Sequence, residues 1–107
     1  MIDRIHNIAD TLLAIEAQMR LTGLWRTESP STSALQSQLP FCCDMMEFSE
    51  WLQWVLLPRM KELIEQNRPL PTQSDIYPLA QDKISGAGTH QLLQLIKQFD
   101  DLFKSSA

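Results

Sequence analysis

Two adjacent cysteines followed by an aspartate, Cys42, Cys43 and Asp44, are the residues that first suggest chemistry. A zinc site needs four ligands with spaced pairs, and the two histidines, His6 and His90, lie at opposite ends of the chain. Neighbouring cysteines bridge poorly, and nothing in the sequence brings a histidine to Cys42 to activate it as a nucleophile. We therefore expect no metal site and no disulfide framework, with both cysteines acting as small, partly buried apolar residues.

A second chemical pattern is the carboxylate pair Glu47 and Glu50, which lie one helical turn apart. General acid–base catalysis needs such groups in a cleft with shifted pKa values, whereas a solvated charged face is far commoner. The chain has only 3 glycines, so a glycine-rich loop that cradles a nucleotide is not expected. The sequence contains no catalytic motif, and we expect no cofactor and favour a protein that is not an enzyme.

Length and charge narrow the possible classes of protein. The chain has 107 residues, which predicts one domain spanning residues 1–107. With 44% hydrophobic and 21% charged residues it is typical of a globular protein. Its 9 Lys and Arg against 13 Asp and Glu give a net charge of −4, which makes direct binding of nucleic acid unexpected. No apolar run is long enough to span a membrane, and no signal peptide is evident, so we expect a cytoplasmic protein.

Apolar residues recur at helical spacing in four stretches. The first runs from Ile2 to about Leu21, with Gly23 as a stop signal. The central helix is predicted to begin between Asp44 and Ser49 and to end near Asn67. A short helix follows through Ile76 to Ile84, capped by Ser74 or Asp75, and Thr89 caps the last helix. The predicted fold is all-α, a small four-helix bundle with a long loop, about residues 22–43, packed over a Pro-kinked central helix.

The central helix is expected to be apolar on both faces in its first half. A helical wheel places six residues towards the core: Leu52, Leu56, Leu57, Met60, Leu63 and Ile64. The opposite face carries Phe48, Trp51 and Trp54, which something must cover. In one hypothesis the apolar residues of the loop cover them: Trp25, Leu35, Leu39 and Phe41. In the other, part of this aromatic face stays open as a groove for a partner.

Two residues of the central helix are unusual for their positions. Pro58 lies in the helix interior, where it removes a backbone donor, clashes with the turn before it and is predicted to kink the helix. The carbonyl of Trp54 would lose its usual partner, and it is open whether a ligand could use it. Gln53 falls on the core side, and a buried amide needs partners. We expect Gln53 to bond the loop backbone, with ligand recognition as the alternative.

The run MMEFSEWLQWVLLPRMKELIEQNRPLP, with LWR at residues 24–26 and PF at residues 40–41, resembles the YqcC-like family of small bacterial proteins. The resemblance covers nearly the whole chain and is most specific over residues 47–71. It implies a helical fold with no established activity. Family members are often encoded beside a tRNA pseudouridine synthase, which implies a link to tRNA modification and that enzyme as a partner. The resemblance carries eight residues onto the family's signature positions: Trp25, Glu47, Glu50, Trp51, Gln53, Trp54, Pro58 and Arg59.

Two functions of different classes follow. The first is an interaction module whose aromatic face docks another protein, and a homodimer through the same face is a variant of it. The second is a small-molecule or RNA-end binding protein that uses the cleft between the 22–43 loop and the central helix, with Arg26 and Arg59 holding an anionic group. The predicted binding residues are Trp25, Arg26, Glu47, Glu50, Trp51, Gln53, Trp54 and Arg59.

Overall fold

All the regular secondary structure of the described residues is helical. The computed structural model describes residues 2–28, 46–71, 73–86 and 88–103. Within these residues the chain forms four helices and no strand: α1, Ile2–Leu21; α2, residues 48–65; α3, Tyr77–Lys83; and α4, His90–Phe103. The predicted all-α, four-helix fold is confirmed. The predictions for Leu35, Leu39, Phe41, Cys42 and Cys43 lie outside the described residues.

The core lies where α1, α2 and α4 meet. Helix α1 contacts both α4 and the second half of α2, and α3 packs on α4. The hydrophobic residues of these helices with at most 2% exposure are Ile8, Leu12, Ile15, Met19, Leu52, Leu57, Met60, Ala80, Leu92, Ile96, Phe99 and Phe103. Full burial of each large apolar side chain in this set stabilises the fold by about 1.5–3 kcal/mol. The stripes that predicted α1 and α4 are therefore the ones that hold the bundle together.

Helix α1 ends as the sequence predicts, and its end directs the following residues towards α2. Gly23 has a φ of +78°, a conformation that glycine adopts at low cost. The backbone N–H groups of Leu24 and Trp25 both donate to the Met19 carbonyl, at 2.9 and 3.2 Å. These hydrogen bonds cap the last turn of α1. Residues 22–28, the described start of the long loop, therefore leave α1 in a fixed direction.

Helix α2 changes its hydrogen-bond pattern just before its proline. It consists of an α-helical turn, Phe48–Trp51, a π-helical turn, Leu52–Leu56, and an α-helical segment, Leu57–Glu65. The Leu57 N–H donates to the carbonyl of Leu52, five residues back. Pro58 follows in the first turn of the α-helical segment, where its ring would clash with the Trp54 carbonyl of a regular helix. A wider turn at this point relieves that crowding; the predicted kink itself stays a prediction.

The predicted core face of α2 is confirmed with one correction. Leu52, Leu57 and Met60 are buried, and Leu56, Leu63 and Ile64 are partly buried against the core. Phe48, which the helical wheel placed on the opposite face, is a core residue with 6% exposure. The wheel assumes 100° per residue throughout, and the π turn breaks that assumption because it contains more residues per turn.

The N-terminus of α3 is held by a residue of α4 rather than by Ser74 or Asp75. Asp100, only 2% exposed, accepts hydrogen bonds from the backbone N–H of Ile76 at 3.1 Å and of Tyr77 at 2.8 Å. The Ser74 hydroxyl donates to the same carboxylate at 2.6 Å. The expected cap therefore comes from a distant residue, and Ser74 supports it. A carboxylate at a helix N-terminus also interacts favourably with the helix dipole.

Replacing this carboxylate tests its structural role. We expect Asp100→Ala to lower the free energy of unfolding by about 3 kcal/mol, because two backbone N–H groups lose a charged acceptor in a buried place. Asp100→Asn, which keeps one oxygen acceptor, should lose less. Urea denaturation measures both. Asp82→Ala, at a carboxylate side chain that is 74% exposed, is the matched control and should change stability by less than about 0.5 kcal/mol. Equal effects of Asp100→Ala and Asp82→Ala would contradict the assignment.

Candidate functional site

A cleft of about 560 Å³ opens between α1, residues 22–28 and α2. Its lining residues are Glu16, Arg20, Trp25, Arg26, Thr27, Gln53, Trp54, Leu57, Pro58 and Lys61. The predicted cleft between the long loop and the central helix therefore exists at the described end of that loop. Its size falls within the roughly 300–1,000 Å³ typical of ligand pockets.

Gln53 joins the two sides of this cleft. The side chain is 4% exposed, and its amide pairs with the backbone of Arg26 at both ends. The Arg26 N–H donates to Gln53 Oε1 at 2.8 Å, and Gln53 Nε2 donates to the Arg26 carbonyl at 2.7 Å. The Gln53 amide thus makes with Arg26 the same pair of hydrogen bonds that two backbone residues make in a β-sheet. It confirms the prediction that Gln53 bonds the loop backbone.

Trp54, the next residue of the π turn, lies on the cleft and is only partly buried. Its indole nitrogen, however, is buried and has no hydrogen-bond partner among the described residues. Buried Trp N–H groups usually find an acceptor, and leaving one unpaired costs about 1–3 kcal/mol. π-Helical turns occur frequently at functional sites. Trp54 is therefore the residue of the cleft whose buried N–H most clearly lacks an acceptor among the described residues.

Trp25 belongs to residues 22–28 and forms the side of the cleft that lies opposite α2. It is partly buried and packs against the core. The Arg20 guanidinium lies over its ring, 4.5 Å from the ring centre, which is within the range of a cation–π interaction. Trp25 therefore covers part of the core and also lines the cleft, as the covering hypothesis requires of one loop residue.

An ion cluster links α1 to α2 at the edge of the cleft. Glu16 accepts from Arg20 at 2.9 Å and from Lys61 at 3.1 Å. The hydrogen bonds from Arg20 and then Lys61 lower the pKa of Glu16, and partial burial opposes them only in part. None of these three residues was predicted from the sequence as part of the site. The four-residue spacing of Glu16 and Arg20 is a recognisable helical pair, but Lys61 has no local signal.

Glu47 and Glu50 act together at the start of α2. The Glu47 N–H donates to Glu50 Oε1 at 3.0 Å, which satisfies a backbone donor at the helix N-terminus. Arg26 lies 3.7 Å from the Glu47 carboxylate, and these side chains are 53% and 71% exposed. Such an exposed pair contributes little to stability. The two carboxylates therefore cap and flank the helix, and neither lines the cleft.

The cleft collects half of the predicted binding residues. Trp25, Arg26, Gln53 and Trp54 line it. Trp51 packs against the core beside Phe48, with ring centres 5.8 Å apart. Arg59 is exposed and does not line the cleft with Arg26. The structure therefore separates the two tryptophans of α2: Trp51 packs on the core, and Trp54 lies at the cleft.

Within residues 2–28, 46–71, 73–86 and 88–103, no cluster of three or more His, Cys, Asp or Glu side chains could hold a metal ion. Over the same residues, no helix is both long and apolar enough to cross a bilayer.

Removing the Gln53 amide should loosen the loop from α2. We expect Gln53→Ala to lower the free energy of unfolding by about 2 kcal/mol, because the Arg26 N–H and carbonyl lose their partners. Urea denaturation measures the stability, and hydrogen exchange at the Arg26 amide should become faster. Gln66→Ala, at an exposed glutamine near the end of the same helix, is the control and should change neither quantity. Unchanged exchange at Arg26 in Gln53→Ala would contradict the assignment.

The ion cluster predicts a pH dependence of stability. Because its pKa is lowered in the folded state, Glu16 stabilises the protein above its unfolded pKa, about 4.3. That contribution is lost as the pH falls through the folded pKa. We expect Glu16→Gln to cost up to about 1 kcal/mol near neutral pH, and the difference from wild type to vanish in strong acid. Urea denaturation of wild type and Glu16→Gln from neutral pH to strong acid tests this pH dependence, and Glu65→Gln, at an exposed residue, is the control. A difference that persists in acid would contradict it.

Comparison with known proteins identifies the family. A family model described as tRNA pseudouridine synthase C matches residues 7–102. The uncharacterized protein YqcC of Escherichia coli is 36% identical over 98 residues, which cover 90% of each chain. The solution NMR structure of protein YqcC from E. coli matches with a TM-score of 0.82 and 32% identity, over 97% of this chain and 91% of that chain.

A second relative is longer. A protein of Pectobacterium carotovorum named tRNA pseudouridine synthase C is 38% identical over 68 residues, which are 64% of this chain and only 18% of that protein. The similarity to full-length YqcC covers nearly the whole chain in both sequence and structure. The chain belongs to the YqcC-like family.

Proposed function

We propose that this protein is a cytoplasmic interaction module that binds a tRNA pseudouridine synthase through the cleft between residues 22–28 and α2. The observation that carries the proposal is the second relative, in which the segment similar to 64% of this chain makes up 18% of a longer protein named tRNA pseudouridine synthase C. Joining two units in one chain raises their effective concentration. Units that work together as one chain are good candidates to associate when they are separate.

The composition of the cleft supports a protein partner. Trp and Arg dominate binding hot spots, and the cleft contains Trp25 and Trp54 with Arg20 and Arg26 around them. Gln53 fixes one side of the cleft to the other. A site that is already ordered loses less conformational entropy on binding. The cleft therefore combines suitable side chains with a backbone that needs little rearrangement.

The direct test is binding between this purified protein and the tRNA pseudouridine synthase C encoded in the same genome. We expect a complex in sedimentation velocity, and the same runs report any homodimer. Trp54→Ala should weaken the complex at least about 30-fold, the effect of losing a hot-spot residue. Leu13→Ala, at a leucine that is 59% exposed on α1 and outside the cleft, should bind as wild type does.

The fold of the variant decides how this result is interpreted. Thermal unfolding should show that Trp54→Ala remains folded, because Trp54 does not belong to the hydrophobic core cluster of the described residues. If that variant unfolds, Trp54→Phe keeps most of the apolar volume and removes the N–H, and it should still bind more weakly than wild type. A folded Trp54→Ala that binds as tightly as wild type would contradict the proposal, as would no complex with wild type.

A second candidate function is binding of a small molecule or an RNA end in the same cleft. Its volume of about 560 Å³ favours this possibility, since drug-sized ligands occupy pockets of this size. A ligand that binds only the folded state raises the unfolding temperature. A thermal-shift screen of nucleotides and short oligonucleotides tests the idea, and stabilisation that Trp54→Ala abolishes would support it over the interaction module.

A further inference from the structure

We infer that the cleft binds an acidic peptide segment of the partner protein, with one apolar side chain against Trp54 and carboxylates facing Arg26 and Lys61. The inference rests on the proposed function, which supplies a protein as the partner. It adds the chemistry of the segment that enters the cleft.

The charge of the cleft is opposite to that of the whole protein. Among the described residues, its lining contains three cations, Arg20, Arg26 and Lys61, and one carboxylate, Glu16. The local net charge is therefore +2, whereas the chain carries −4. Complementary charge guides encounter and fixes the register of a partner. An acidic segment is the ligand that this lining attracts and that the rest of the surface repels.

Arg26 is the cation most available to such a segment. Glu16 already bonds Arg20 and Lys61 at 2.9 and 3.1 Å, but the pair between Arg26 and Glu47 spans 3.7 Å and is exposed. A carboxylate from a ligand can replace Glu47 and form two parallel hydrogen bonds with the guanidinium. Gln53 holds the Arg26 backbone, so the base of this side chain is already fixed.

The apolar part of the cleft lies on α2. Trp54, Leu57 and Pro58 line it, and Pro58 is exposed. The Trp54 N–H has no partner among the described residues. An incoming carbonyl or carboxylate that reaches this donor would give it an acceptor. The cleft therefore suits a ligand that supplies both apolar surface and acceptor oxygens.

The surroundings of the cleft favour a peptide over an RNA strand. Glu47, which precedes α2, and Glu62 and Glu65 on α2 are exposed, so a polyanion that continues past the cleft meets carboxylates. RNA binding depends on many phosphate contacts with Lys and Arg, and the net charge of −4 opposes it. A peptide can confine its acidic residues to the cleft and carry neutral or basic residues beyond it.

The test is an NMR titration of the protein labelled with nitrogen-15. The titration follows the three indole N–H signals. The probe is a short capped peptide with the core Glu-Glu-Leu-Glu-Glu. We expect it to shift the signals of Trp54 and Trp25 and to leave that of Trp51 in place. The same peptide with Gln in place of every Glu should bind at least about tenfold more weakly. A single-stranded oligouridylate of similar length should bind more weakly than the acidic peptide.

Two charge reversals give the matched comparison. Arg26→Glu should abolish the indole shifts, because it removes the available cation while the backbone bonds to Gln53 remain. Arg68→Glu makes the same change of charge at an exposed residue outside the cleft and should bind as wild type does. Equal binding of the Glu and Gln peptides, equal weakening by both reversals, or tighter binding of the oligouridylate would overturn the inference.

The outcomes separate this inference from the proposed function. If the synthase binds wild type and Arg26→Glu with the same affinity, the acidic-segment inference is overturned and the proposed function stands. If the acidic peptide binds as described and the synthase does not bind, the proposed function fails and the chemistry of the cleft is supported.

Discussion

A buried amide must have partners at both ends, and in this protein Gln53 finds both on one residue of the loop. Its two hydrogen bonds to the Arg26 backbone, at 2.8 and 2.7 Å, fix residues 22–28 against α2. Without them the N–H and carbonyl of Arg26 would lose their partners, and Trp25 would lose its anchor on the side of α2. This pair of bonds closes one end of the cleft and holds Trp25 and Arg26 beside α2, while Glu16 holds Arg20 and Lys61.

Pro58 accounts for the π turn that contains Gln53 and Trp54. A regular helix has no room for the proline ring beside the carbonyl four residues earlier, and α2 widens into a π turn just before it. Gln53 lies in that turn with 4% exposure, and Trp54, beside it, lies at the cleft. A local constraint of covalent geometry therefore contributes to an uncommon pair of adjacent side chains, one bonded to the loop and one with an unpaired donor.

The fold could be predicted from the sequence because its signals are local. Apolar stripes every three or four residues and the stop at Gly23 define α1 and its end. The buried amide of Gln53 could also be anticipated, since its position on the core side demanded partners. The cap on α3 could not, because Asp100 lies 24 residues from Ile76 in sequence. The bond between Glu16 and Lys61 spans 45 residues, and the π turn shifted Phe48 into the core against the helical wheel.

The site combines these local and distant features into one surface. Half of the predicted binding residues meet in the cleft, and Glu16, Arg20 and Lys61 join them through the packing of α1 on α2. The longer relative named tRNA pseudouridine synthase C is the ground on which a tRNA pseudouridine synthase is proposed as the partner. In that proposal, residues 22–28, the indoles of Trp25 and Trp54 and the guanidinium of Arg26 hold the partner.

Hydrogen–deuterium exchange of this protein, alone and mixed with the tRNA pseudouridine synthase C of the same genome, tests the central claim most directly. Binding at the cleft predicts slower exchange confined to residues 22–28 and to α2 around residues 53–61, since contact with a partner restricts local opening. Slower exchange only on other surfaces, such as the outer face of α4, or no change at saturating synthase, would contradict it.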